Sequence, residues 1–565
     1  MGSQQIRAAA AQFHVGSDIA VNLESCLRVL DKAAMHKPQL VVLPEFCNHL
    51  SWYDNAEHCF DVSLTLDGDF LQAIANKAKE IQAFVVIGVT LQRDNSKVSG
   101  CNLLYSPAGE LLGISDKQVL IGHENDFLEP ATTPGAVVDT DIARLGLYMC
   151  MDGVINETPR CLSLRGAQVL CNSLNSFAPD EGSLHIPVRA PENRVFVVAA
   201  NKVGPLVPEA MMDGISAATN IPVEFLNGAG ESQIVAPDGT VLAMAKTRDE
   251  EVIFADFCPS DANTKTRPDG TDVYRSRRPE LYASLGVNPA AQTSVKFSGP
   301  EKAEVATLQL AHTGFAALEE ALSAIANSSA SLIVLPGLCL IDAPEGDKAI
   351  AQSESVINAI AAQCGDSLVV TSLVQASASG ERQHCAVLIG SQGLVFVQPQ
   401  VHFSQRFAWS ALAEGFASYD SPIGRIGLMV SDDSVYPESA RLLALQGVQI
   451  LAVPLMPLEA WELETGLLER AGENRMNLVA AAQPSALGCS TIGALQRDFT
   501  IFGEWQERAF DGVLTRPVVT QASTSAGLTA AEIYPRCAEN KVVSHRTHLL
   551  DNRPWHLLEP ITAAH

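Results

Sequence analysis

Hydrophobic and polar positions along the first half of the chain follow two patterns. Short apolar runs typical of buried strands occur at residues 40–43, 84–89, 145–149, 169–171 and 195–200. Residues 22–35 and 70–81 instead carry apolar positions at helical spacing, and residues 234–242 predict a hairpin around Pro-Asp-Gly. Strands buried on both faces that alternate with helices predict an α/β fold, in which helices cover stacked sheets.

The second half of the chain repeats motifs of the first half in the same order. Residues 39–45 correspond to 331–337, residues 143–152 to 424–433, residues 189–194 to 470–475, and Arg278-Pro279 to Arg553-Pro554. Motifs in constant order at a nearly constant offset indicate a duplicated domain. We expect a first copy at residues 1–285, a linker at residues 286–302 and a second copy at residues 303–565.

Composition and charge mainly exclude classes of partner and of site. The 565 residues carry a formal charge of −26, which repels phosphate backbones and anionic membranes, so we expect no nucleic-acid or membrane partner. No apolar run approaches the ~20 residues that span a bilayer, and the first sixteen residues lack a secretory pattern. The thirteen cysteines include no Cys-x-x-Cys pair. We therefore expect reduced thiols, a cytoplasmic location and no metal site.

Three polar residues stand where predicted strands end or leave turns. Glu45 follows the run at 40–43, Cys150 follows the run at 145–149, and Lys117 lies eight residues after a turn glycine, Gly109. Functional groups of open α/β sheets collect beyond the carboxyl ends of strands. Taken singly, each residue has an ordinary alternative: a capping carboxylate, a surface lysine and an inert buried thiol.

Together these residues and their neighbours resemble the nitrilase, or carbon–nitrogen hydrolase, superfamily. The matching motifs of the first copy are Ala-Ala-Gln12-Phe, Leu-Pro-Glu45, Lys117, Cys150-x-Asp152, Arg-Ala-x-Glu192-Asn, Asn201, Pro-Asp-Gly239 and Arg277-Arg-Pro-Glu-Leu-Tyr282. The resemblance implies two tandem four-layer α-β-β-α sandwich domains. It also implies hydrolysis of a non-peptide C–N bond without a metal or other cofactor.

The resemblance implies a role for each chemical residue. Cys150 would attack the carbonyl carbon and form a thioester, while Glu45 would move the protons. Lys117 and the backbone N–H of Met151 would stabilise the oxyanion. A nearby ammonium is also expected to lower the pKa of the Cys150 thiol.

Further residues are expected to shape the site. Superfamily members have a second glutamate after the lysine, for which Glu129 matches best and Glu124 is the alternative. Trp52, Tyr53 and residues 205–226 lie in segments near the predicted site that lack clear strand character. Loops over strand ends commonly set substrate choice, so we expect these segments to line or cover the pocket. The alternative is an ordinary exposed loop.

The residues around the cysteine limit which branches of the superfamily the chain resembles. Cys150-Met-Asp152 is similar to the amidase and carbamoylase branches, whereas nitrilases proper have Cys-Trp-Glu. Gly153-Val154 stands where carbamoylases for D-amino acids have two arginines. We expect an amidase that acts on a small linear amide. An N-carbamoyl hydrolase and a non-catalytic binding or scaffold protein with a relic site are the alternatives.

The second copy lacks the predicted chemistry. Gly337 stands for Glu45, Ser431 for Cys150, and Val401 for Lys117, or His402 if the alignment slips by one residue. The second copy keeps polar residues that predict buried structural contacts, namely Asp433, Glu438, Arg441, Glu473, Asn474 and Arg475. The same comparison predicts structural roles for Asp152, Glu157, Arg160 and Glu192.

We therefore expect an inactive second copy that serves as a built-in partner. It would pack on the first copy as an intramolecular pseudo-dimer, through the helices that follow Cys150 and Ser431. Two independent domains, with pairing made between chains, are the alternative.

Overall fold

The computed structural model describes residues 4–292 and 295–563, which form two compact units. Unit 1 comprises the described residues up to Thr264 together with Asp498–Leu514 and Val542–Ile561. Unit 2 comprises Lys265–Arg497, Thr515–Lys541 and the residues from Thr562 onward. Residues 1–3 of the segment tested for a secretory signal, and residues 293–294 of the predicted linker, lie outside the described residues.

The compact units differ from the boundaries predicted at 285 and 303. Arg267 belongs to unit 2, where its buried guanidinium lies 2.7 Å from both Asp432 and Glu462. Thr547 belongs to unit 1, where its hydroxyl oxygen accepts a hydrogen bond from the Gly122 N–H at 3.0 Å. Sequence motifs show where the repeat begins again. They do not show which compact unit the end of each copy packs in. The repeat boundaries of 1–285 and 303–565 stay predictions.

Two six-stranded sheets form the centre of unit 1. The strands of the first sheet are β1 (Ile6–Gln12), β2 (Leu40–Val42), β3 (Phe84–Arg93), β4 (Lys97–Tyr105), β5 (Leu111–Asp116) and β14 (Glu251–Phe257). Those of the second sheet are β6 (Val137–Asp139), β7 (Arg144–Met149), β8 (Val169–Ser173), β9 (Phe196–Ala200), β12 (Gln233–Val235) and β13 (Val241–Met244). Two short antiparallel pairs join β10 (Val203–Pro205) to β11 (Asn227–Ala229) and β27 (Val542–Ser544) to β28 (Thr547–His548).

The helices of unit 1 flank these sheets. They are α1 (Ile19–Ala34), α2 (Ala56–Asp61), α3 (Asp69–Ile81), α4 (Glu124–Phe127), α5 (Met151–Val154), α6 (Glu157–Leu164), α7 (Ile186–Asn193) and α8 (Met212–Thr219). Asp18 caps α1, because its carboxylate accepts the N–H groups of Ala20 and Val21 at 2.9 and 3.2 Å. The helices predicted at residues 22–35 and 70–81 correspond to α1 and α3.

The sheets of unit 1 stack face to face as an α-β-β-α sandwich. The first has the order β14-β1-β2-β3-β4-β5 and the second the order β13-β12-β9-β8-β7-β6. Along β1, Ala8 and Ala10 belong to the core between the sheets, whereas Ala9 and Ala11 pack against α1 and α3. Helices α6 and α7 contact the second sheet. The predicted strands, the hairpin β12–β13 and the layered fold are confirmed.

Unit 2 repeats the same architecture. Its first sheet contains β15 (Ala303–Gln309), β16 (Leu332–Gly337), β17 (Leu368–Ala376), β18 (Arg382–Gly390), β19 (Gly393–Pro399) and β26 (Gly527–Ile533). Its second contains β20 (Ser418–Ser421), β21 (Gly424–Leu428), β22 (Ile450–Pro454), β23 (Asn477–Ala481), β24 (Thr491–Ala494) and β25 (Val518–Gln521). The helices are α9 (Leu318–Ala326), α10 (Ala349–Gln363), α11 (Pro437–Leu445) and α12 (Leu467–Asn474), while α13 (Glu559–Thr562) begins in unit 1.

The cysteines carry no disulfide. All thirteen thiols lie among the described residues and are free, and all but Cys258 and Cys537 are buried. Among the helices of the described residues, none has both the length and the apolar character that crossing a membrane requires.

Candidate active site

The ends of strands from both sheets of unit 1 bring the predicted residues together. Glu45 follows β2, Lys117 follows β5 directly, and Cys150 follows β7 directly. The backbone of β3 passes very close to the turn after β2, because a Cβ atom at Gly88 would lie 2.6 Å from the Glu45 Cα. Glycine at position 88 therefore lets Glu45 sit against the sheet.

A buried lysine lies between two buried glutamates. The Lys117 Nζ is 2.8 Å from Glu45 Oε1 and 2.8 Å from Glu124 Oε2. The side chains of Glu45 and Lys117 are fully buried, and that of Glu124 is nearly so. Apart from its ion pair with Lys117, the Glu45 carboxylate has no hydrogen-bond partner among the described residues. It can therefore accept a proton from a group that enters the site.

The charges of this cluster shift one another's pKa values. Burial raises the pKa of Glu45 to about 7, and the Glu124 charge adds to this while the Lys117 ammonium opposes it. Burial lowers the pKa of Lys117, but the carboxylates of Glu124 and Glu45 outweigh it and raise that pKa well above its usual value. At neutral pH Lys117 is charged, while Glu45 can gain or lose a proton readily.

The Lys117 ammonium lowers the pKa of the Cys150 thiol as expected, but the net pKa is raised. Burial raises the pKa of this thiol well above its usual value, and the negative charge of Glu45 acts in the same direction. The Lys117 ammonium opposes the shift without reversing it. The resting group is therefore a thiol, and it needs a base at the moment of attack.

Cys150 occupies a strained turn between β7 and α5. Its backbone has φ 43° and ψ −106°, a conformation that residues other than glycine rarely adopt. The Cys150 N–H donates to Asn172 Oδ1 at 3.1 Å and to the Ser173 carbonyl oxygen at 3.0 Å. Neighbouring β8 thus holds the turn in place.

Asp152 connects this turn to the segment after Lys117. Its Oδ1 accepts the backbone N–H groups of Gln118 at 3.0 Å and Val119 at 2.7 Å. The carboxylate is buried, so these bonds fix the cysteine turn relative to the lysine. This geometry supports the structural role predicted for Asp152.

The assignment of Glu129 as the second glutamate is corrected. Its side chain is half exposed and lies 3.0 Å from the Nζ of exposed Lys97, so it is a surface residue. Glu124 instead begins α4, and its Oε2 accepts the Ile121 N–H at 3.1 Å besides contacting Lys117. The tight turn that brings residue 124 back to Lys117 depends on local structure that motif spacing does not reveal.

Sequence reasoning missed Lys202. It follows the end of β9, is fully buried, and its Nζ donates to the Phe46 carbonyl oxygen at 3.2 Å. Burial lowers its pKa to about 8, while the charges of Cys47, Glu45 and Cys150 act against the shift. Its position directly after a strand end, next to Asn201 of the matched motif, was the signal that could have identified it.

The remaining predicted residues surround this cluster. Met151 is the first residue of α5, directly after Cys150. Tyr53 is buried in an apolar cluster that includes Phe46, and its ring centroid lies 5.5 Å from that of Phe127. Trp52 is half-buried, with its ring 6.1 Å from His123, the residue before Glu124. Whether either aromatic touches substrate stays a prediction.

Residues 205–226 form a long connection, called the excursion below, whose two ends lie side by side. The antiparallel pair β10–β11 joins these ends, with Val203 opposite Ala229 and Pro205 opposite Asn227. The excursion contains α8, which buries none of its side chains completely. The excursion starts four residues after Asn201, and whether it lines the pocket stays a prediction.

Unit 2 changes the predicted correspondence for Lys117. The Asp433 carboxylate accepts the N–H groups of Val401 at 3.0 Å and His402 at 2.8 Å, as Asp152 does for residues 118 and 119. Residue 400 therefore occupies the lysine position, and the assignment of Val401 or His402 is wrong. The Gln400 N–H donates to the His384 carbonyl at 2.8 Å, matching the bond from Lys117 to Gly100 at 2.9 Å. No sequence motif fixed the alignment between these strands.

Other side chains fill the equivalent site of unit 2. A Cβ atom at Gly337 would lie 2.8 Å from Met456 Cγ, so the methionine occupies the space beside the position of Glu45. The Ser431 hydroxyl donates to the Met456 carbonyl at 2.9 Å and accepts the Met456 N–H at 3.0 Å. Asp432 lies 2.7 Å from the buried guanidinium of Arg267 and also pairs with Arg406. The serine is thus a structural hydrogen-bonding group.

Both units contain the same buried group of an arginine, a glutamate and an asparagine, although their sites differ. Arg189 pairs with Glu192 at 2.7 Å in unit 1, and Arg470 pairs with Glu473 at 2.6 Å in unit 2. In each unit an asparagine amide donates to the arginine carbonyl at 3.0 Å, from Asn193 and Asn474 respectively. Contacts that persist with and without Glu45, Lys117 and Cys150 support the structural role predicted for them.

The site of unit 1 therefore offers a thiol, a carboxylate of raised pKa and a buried ammonium. Across residues 4–292 and 295–563, no group of three or more His, Cys, Asp or Glu side chains could hold a metal ion. These groups can perform nucleophilic attack, proton transfer and oxyanion stabilisation.

The comparison with protein families matches both copies, whereas single relatives match about half of the chain. A family model described as carbon-nitrogen hydrolase matches residues 7–265 and 304–495. A nitrilase of Pyrococcus abyssi is 27% identical over 262 residues, covering 46% of this chain and 92% of the relative. An omega-amidase of Bos taurus is 28% identical over 263 residues, covering 44% of this chain and 88% of the relative.

Other relatives cover a similar share of the chain. An N-carbamoylputrescine amidase of Solanum lycopersicum is 24% identical, covering 50% of this chain and 97% of the relative. Among solved structures, the NitFhit protein of C. elegans has a TM-score of 0.42 at 24% identity, covering 50% of this chain and 67% of that one. An amidase from Nesterenkonia sp. AN1 has a TM-score of 0.38 at 19% identity, covering 46% and 94%.

Proposed function

Since this chain belongs to the carbon–nitrogen hydrolase family, we propose that unit 1 is a thiol amidohydrolase whose nucleophile is Cys150. The observation that carries the proposal is the buried Lys117 held between Glu45 and Glu124, in a cluster whose charges act on the thiol. Burying three charged groups together is costly for folding. The raised pKa of Glu45 within this cluster makes it a candidate for proton transfer near neutral pH.

The first half of the reaction makes a thioester. As the Cys150 Sγ bonds to the amide carbonyl carbon, the thiol proton passes to Glu45, which must be ionised beforehand. Lys117 and the Met151 N–H stabilise the negative oxygen. The C–N bond then breaks as Glu45 returns the proton to the nitrogen, and ammonia or an amine leaves.

The second half of the reaction uses water. Glu45 removes a proton from the water as its oxygen bonds to the thioester carbon, forming a second oxyanion at the same donors. The C–S bond breaks, the proton passes from Glu45 to the Cys150 sulfur, and a carboxylic acid leaves. The enzyme returns to its starting protonation state.

Two buried residues position this machinery. Glu124 holds the Lys117 ammonium at 2.8 Å, in addition to the contact that Glu45 makes with it. Lys202 fixes the Phe46 carbonyl and places a second positive charge near Glu45, which counteracts the rise in the Glu45 pKa. We propose both as positioning residues.

The substrate class is a small linear amide. The lack of side-chain space at residue 153 argues against the carboxylate clamp of D-amino acid carbamoylases. A Cβ atom at Gly153 would lie only 2.9 Å from the Tyr148 ring. An N-carbamoyl hydrolase for another substrate is the second candidate.

A substrate panel tests the proposal. Primary amides and N-carbamoyl amines carrying ¹³C at the reacting carbonyl are incubated with the full chain, and ammonia is measured together with the ¹³C product. We expect labelled carboxylate from amides. Labelled carbon dioxide from the carbamoyl compounds alone would favour the second candidate. Release of neither product from the panel, together with no alkylation of Cys150 by iodoacetamide, would favour the binding or scaffold alternative.

We also propose that unit 2 has no hydrolase activity and serves as an intramolecular partner of the first copy. The support is its occupied site, where Met456 stands beside Gly337 and Ser431 bonds to the Met456 backbone. Sedimentation of the full chain as a single copy of 60.2 kDa is expected. Obligatory dimers of the chain would favour pairing between chains instead.

A further inference from the structure

Two connections differ greatly in length between the copies. In the first copy, β12 and β13 are joined by the five residues 236–240, whereas in the second copy the matching strands β24 and β25 are joined by residues 495–517. The reverse holds one connection earlier: residues 201–232 join β9 to β12, but only residues 482–490 join β23 to β24. Each copy is long where the other is short.

The long connection of the second copy lies in unit 1, as residues 498–514. Phe510 is buried there, and its ring centroid lies 5.5 Å from that of Phe225 and 5.9 Å from that of Phe177. Ile221 and Leu226 belong to the same apolar cluster. The two long connections therefore pack against each other, and residues 498–514 brace the excursion at residues 205–226.

The other end of the same segment reaches the cysteine turn. Phe499 is 1% exposed and belongs to an apolar cluster with Met151, Val154 and Ile155. Met151 follows the predicted nucleophile directly and begins α5. One segment of the second copy thus packs behind the expected oxyanion donor and against the excursion.

The segment holds its own shape through polar contacts. The Asp498 carboxylate accepts the N–H groups of residues 506, 507 and 508 at 3.0, 2.6 and 2.9 Å. The Arg508 guanidinium donates to the Asp498 carbonyl at 3.0 Å and to the Val513 carbonyl at 2.7 Å. Because these contacts close the loop at both ends, the loop can act as a rigid body that supports the residues packed against it.

We propose that residues 498–514 of the second copy are a positioning element of the catalytic site of unit 1. They hold the cysteine turn through Phe499 and the excursion at residues 205–226 through Phe510. This role rests on the proposed function of unit 1, and it gives the second copy a use that does not require chemistry of its own. Loss of the segment should therefore affect both turnover and substrate choice.

The first copy supplies the replacement that tests this proposal. In the full chain, residues 495–517 are exchanged for Ala-Pro-Asp-Gly-Thr, the connection that joins the equivalent strands β12 and β13. We expect kcat to fall by about a hundredfold, because small misplacements of reacting groups cost that much. Alkylation of Cys150 by iodoacetamide, followed by peptide mass spectrometry, should become several-fold faster as packing behind the turn is lost.

Two single substitutions separate the ends of the segment. Phe499→Ala should lower kcat with little change in KM, because it loosens the turn that carries the Met151 N–H. Phe510→Ala should raise KM and change the order of preferred amides, because it loosens the excursion. The control is Phe502→Ala, since Phe502 lies in the same segment but is 56% exposed. This substitution should leave kcat, KM and the order of preferred amides unchanged.

The outcomes separate this inference from the proposed function. If the parent chain hydrolyses amides and the exchanged chain does so with the same kcat, KM and Cys150 alkylation rate, the positioning role is wrong and the proposed function stands. If the parent hydrolyses none, the proposed function fails, and the alkylation rate alone decides whether the segment packs behind Cys150. Equal losses from Phe502→Ala and Phe499→Ala would also overturn the positioning role.

Discussion

The two copies place different groups at two equivalent positions of the same fold. In unit 1 the turn after β2 carries Glu45, and the end of β5 leads to Lys117. In unit 2 the equivalent positions hold Gly337 and Gln400, and the Met456 side chain lies beside the glycine. Unit 2 keeps the sandwich without an equivalent of the Glu45–Lys117 pair, so this pair is not required to build the fold.

The shared carboxylates show what the fold does require. Asp152 and Asp433 each accept two successive backbone N–H groups from the strand-end segment opposite. An unpaired buried N–H costs about 1–3 kcal/mol, so both copies gain from keeping the aspartate. The difference between the copies therefore separates framework residues from residues with a chemical use, more sharply than either copy could alone.

Removing the nucleophile should produce the largest effect. Cys150→Ala should reduce kcat by more than about 10³-fold, because no thioester can form, and leave the melting temperature within a few degrees. Ser431→Ala should leave kcat unchanged, although the loss of its bonds to Met456 should lower stability by about 1 kcal/mol. Turnover with the first amide that the panel identifies, and thermal melting, measure both. Comparable turnover from Cys150→Ala would end the distinction between the copies.

Removing the base should have the next largest effect. Glu45→Gln keeps the size of the side chain but cannot accept the thiol proton, so kcat should fall by about 10²–10⁴-fold. The reverse change in unit 2, Gly337→Glu, should add no activity, because Met456 occupies the adjacent space and Gln400 supplies no cation. Activity is measured in each variant after folding is checked by circular dichroism. A gain of activity from Gly337→Glu would show that unit 2 retains a working site.

The pH profile should shift in opposite directions in two variants. Glu45 must be ionised to act as base, so kcat/KM of the parent should fall as the pH drops below about 7, the pKa to which burial raises this carboxyl. The Glu124 charge raises the Glu45 pKa, so Glu124→Gln should move this acid limb to lower pH. The Lys202 charge lowers it, so Lys202→Gln should move the limb to higher pH.

Lys202→Gln has a precedent within the chain. Gln483 stands two residues after the end of β23, where Lys202 stands two residues after the end of β9. A glutamine keeps a donor for the Phe46 carbonyl but removes the charge, whereas Lys202→Met removes both. Equal shifts of the acid limb in the two variants would identify the charge as the cause. Shifts in the same direction for the Glu124 and Lys202 variants would contradict the account.

The aromatic residues near the site should have the smallest effect. Trp52→Ala and Tyr53→Ala should change the relative kcat/KM of the amides in the panel by about tenfold or less, because neither residue takes part in proton transfer. Tyr53→Ala should also lower stability, since its ring is buried beside Phe127. An unchanged order of substrates in both variants would leave the excursion at residues 205–226 as the better candidate for specificity.

The sequence predicted the features that depend on local patterns. Buried strands and the duplication follow from apolar runs and repeated motifs, whereas the choice of Glu45, Lys117 and Cys150 follows from their resemblance to the superfamily. Glu129 was preferred over Glu124 because motif spacing carries no information on the turn that brings residue 124 back to the lysine. Gln400 was missed for a similar reason, because only the paired N–H groups at Asp433 fix the register there.

The features that the sequence did not predict depend on packing between residues that are far apart in the chain. Motif spacing cannot show that residues 498–514 pack in unit 1, because a linear repeat does not state where a long connection folds. The direction of the Cys150 pKa shift was also beyond the sequence. It depends on the balance between burial and one nearby ammonium, and burial proved the larger effect.

Trapping the covalent intermediate would identify the nucleophile of the reaction. The full chain is mixed with the amide that the panel identifies, quenched in acid within one turnover, and digested for peptide mass spectrometry. We expect the acyl mass at Cys150 and at no serine or cysteine of the second copy, and we expect Cys150→Ala to abolish the adduct. An acyl adduct at Ser431, or at Cys150 with undiminished turnover in Cys150→Ala, would contradict the proposed role of Cys150.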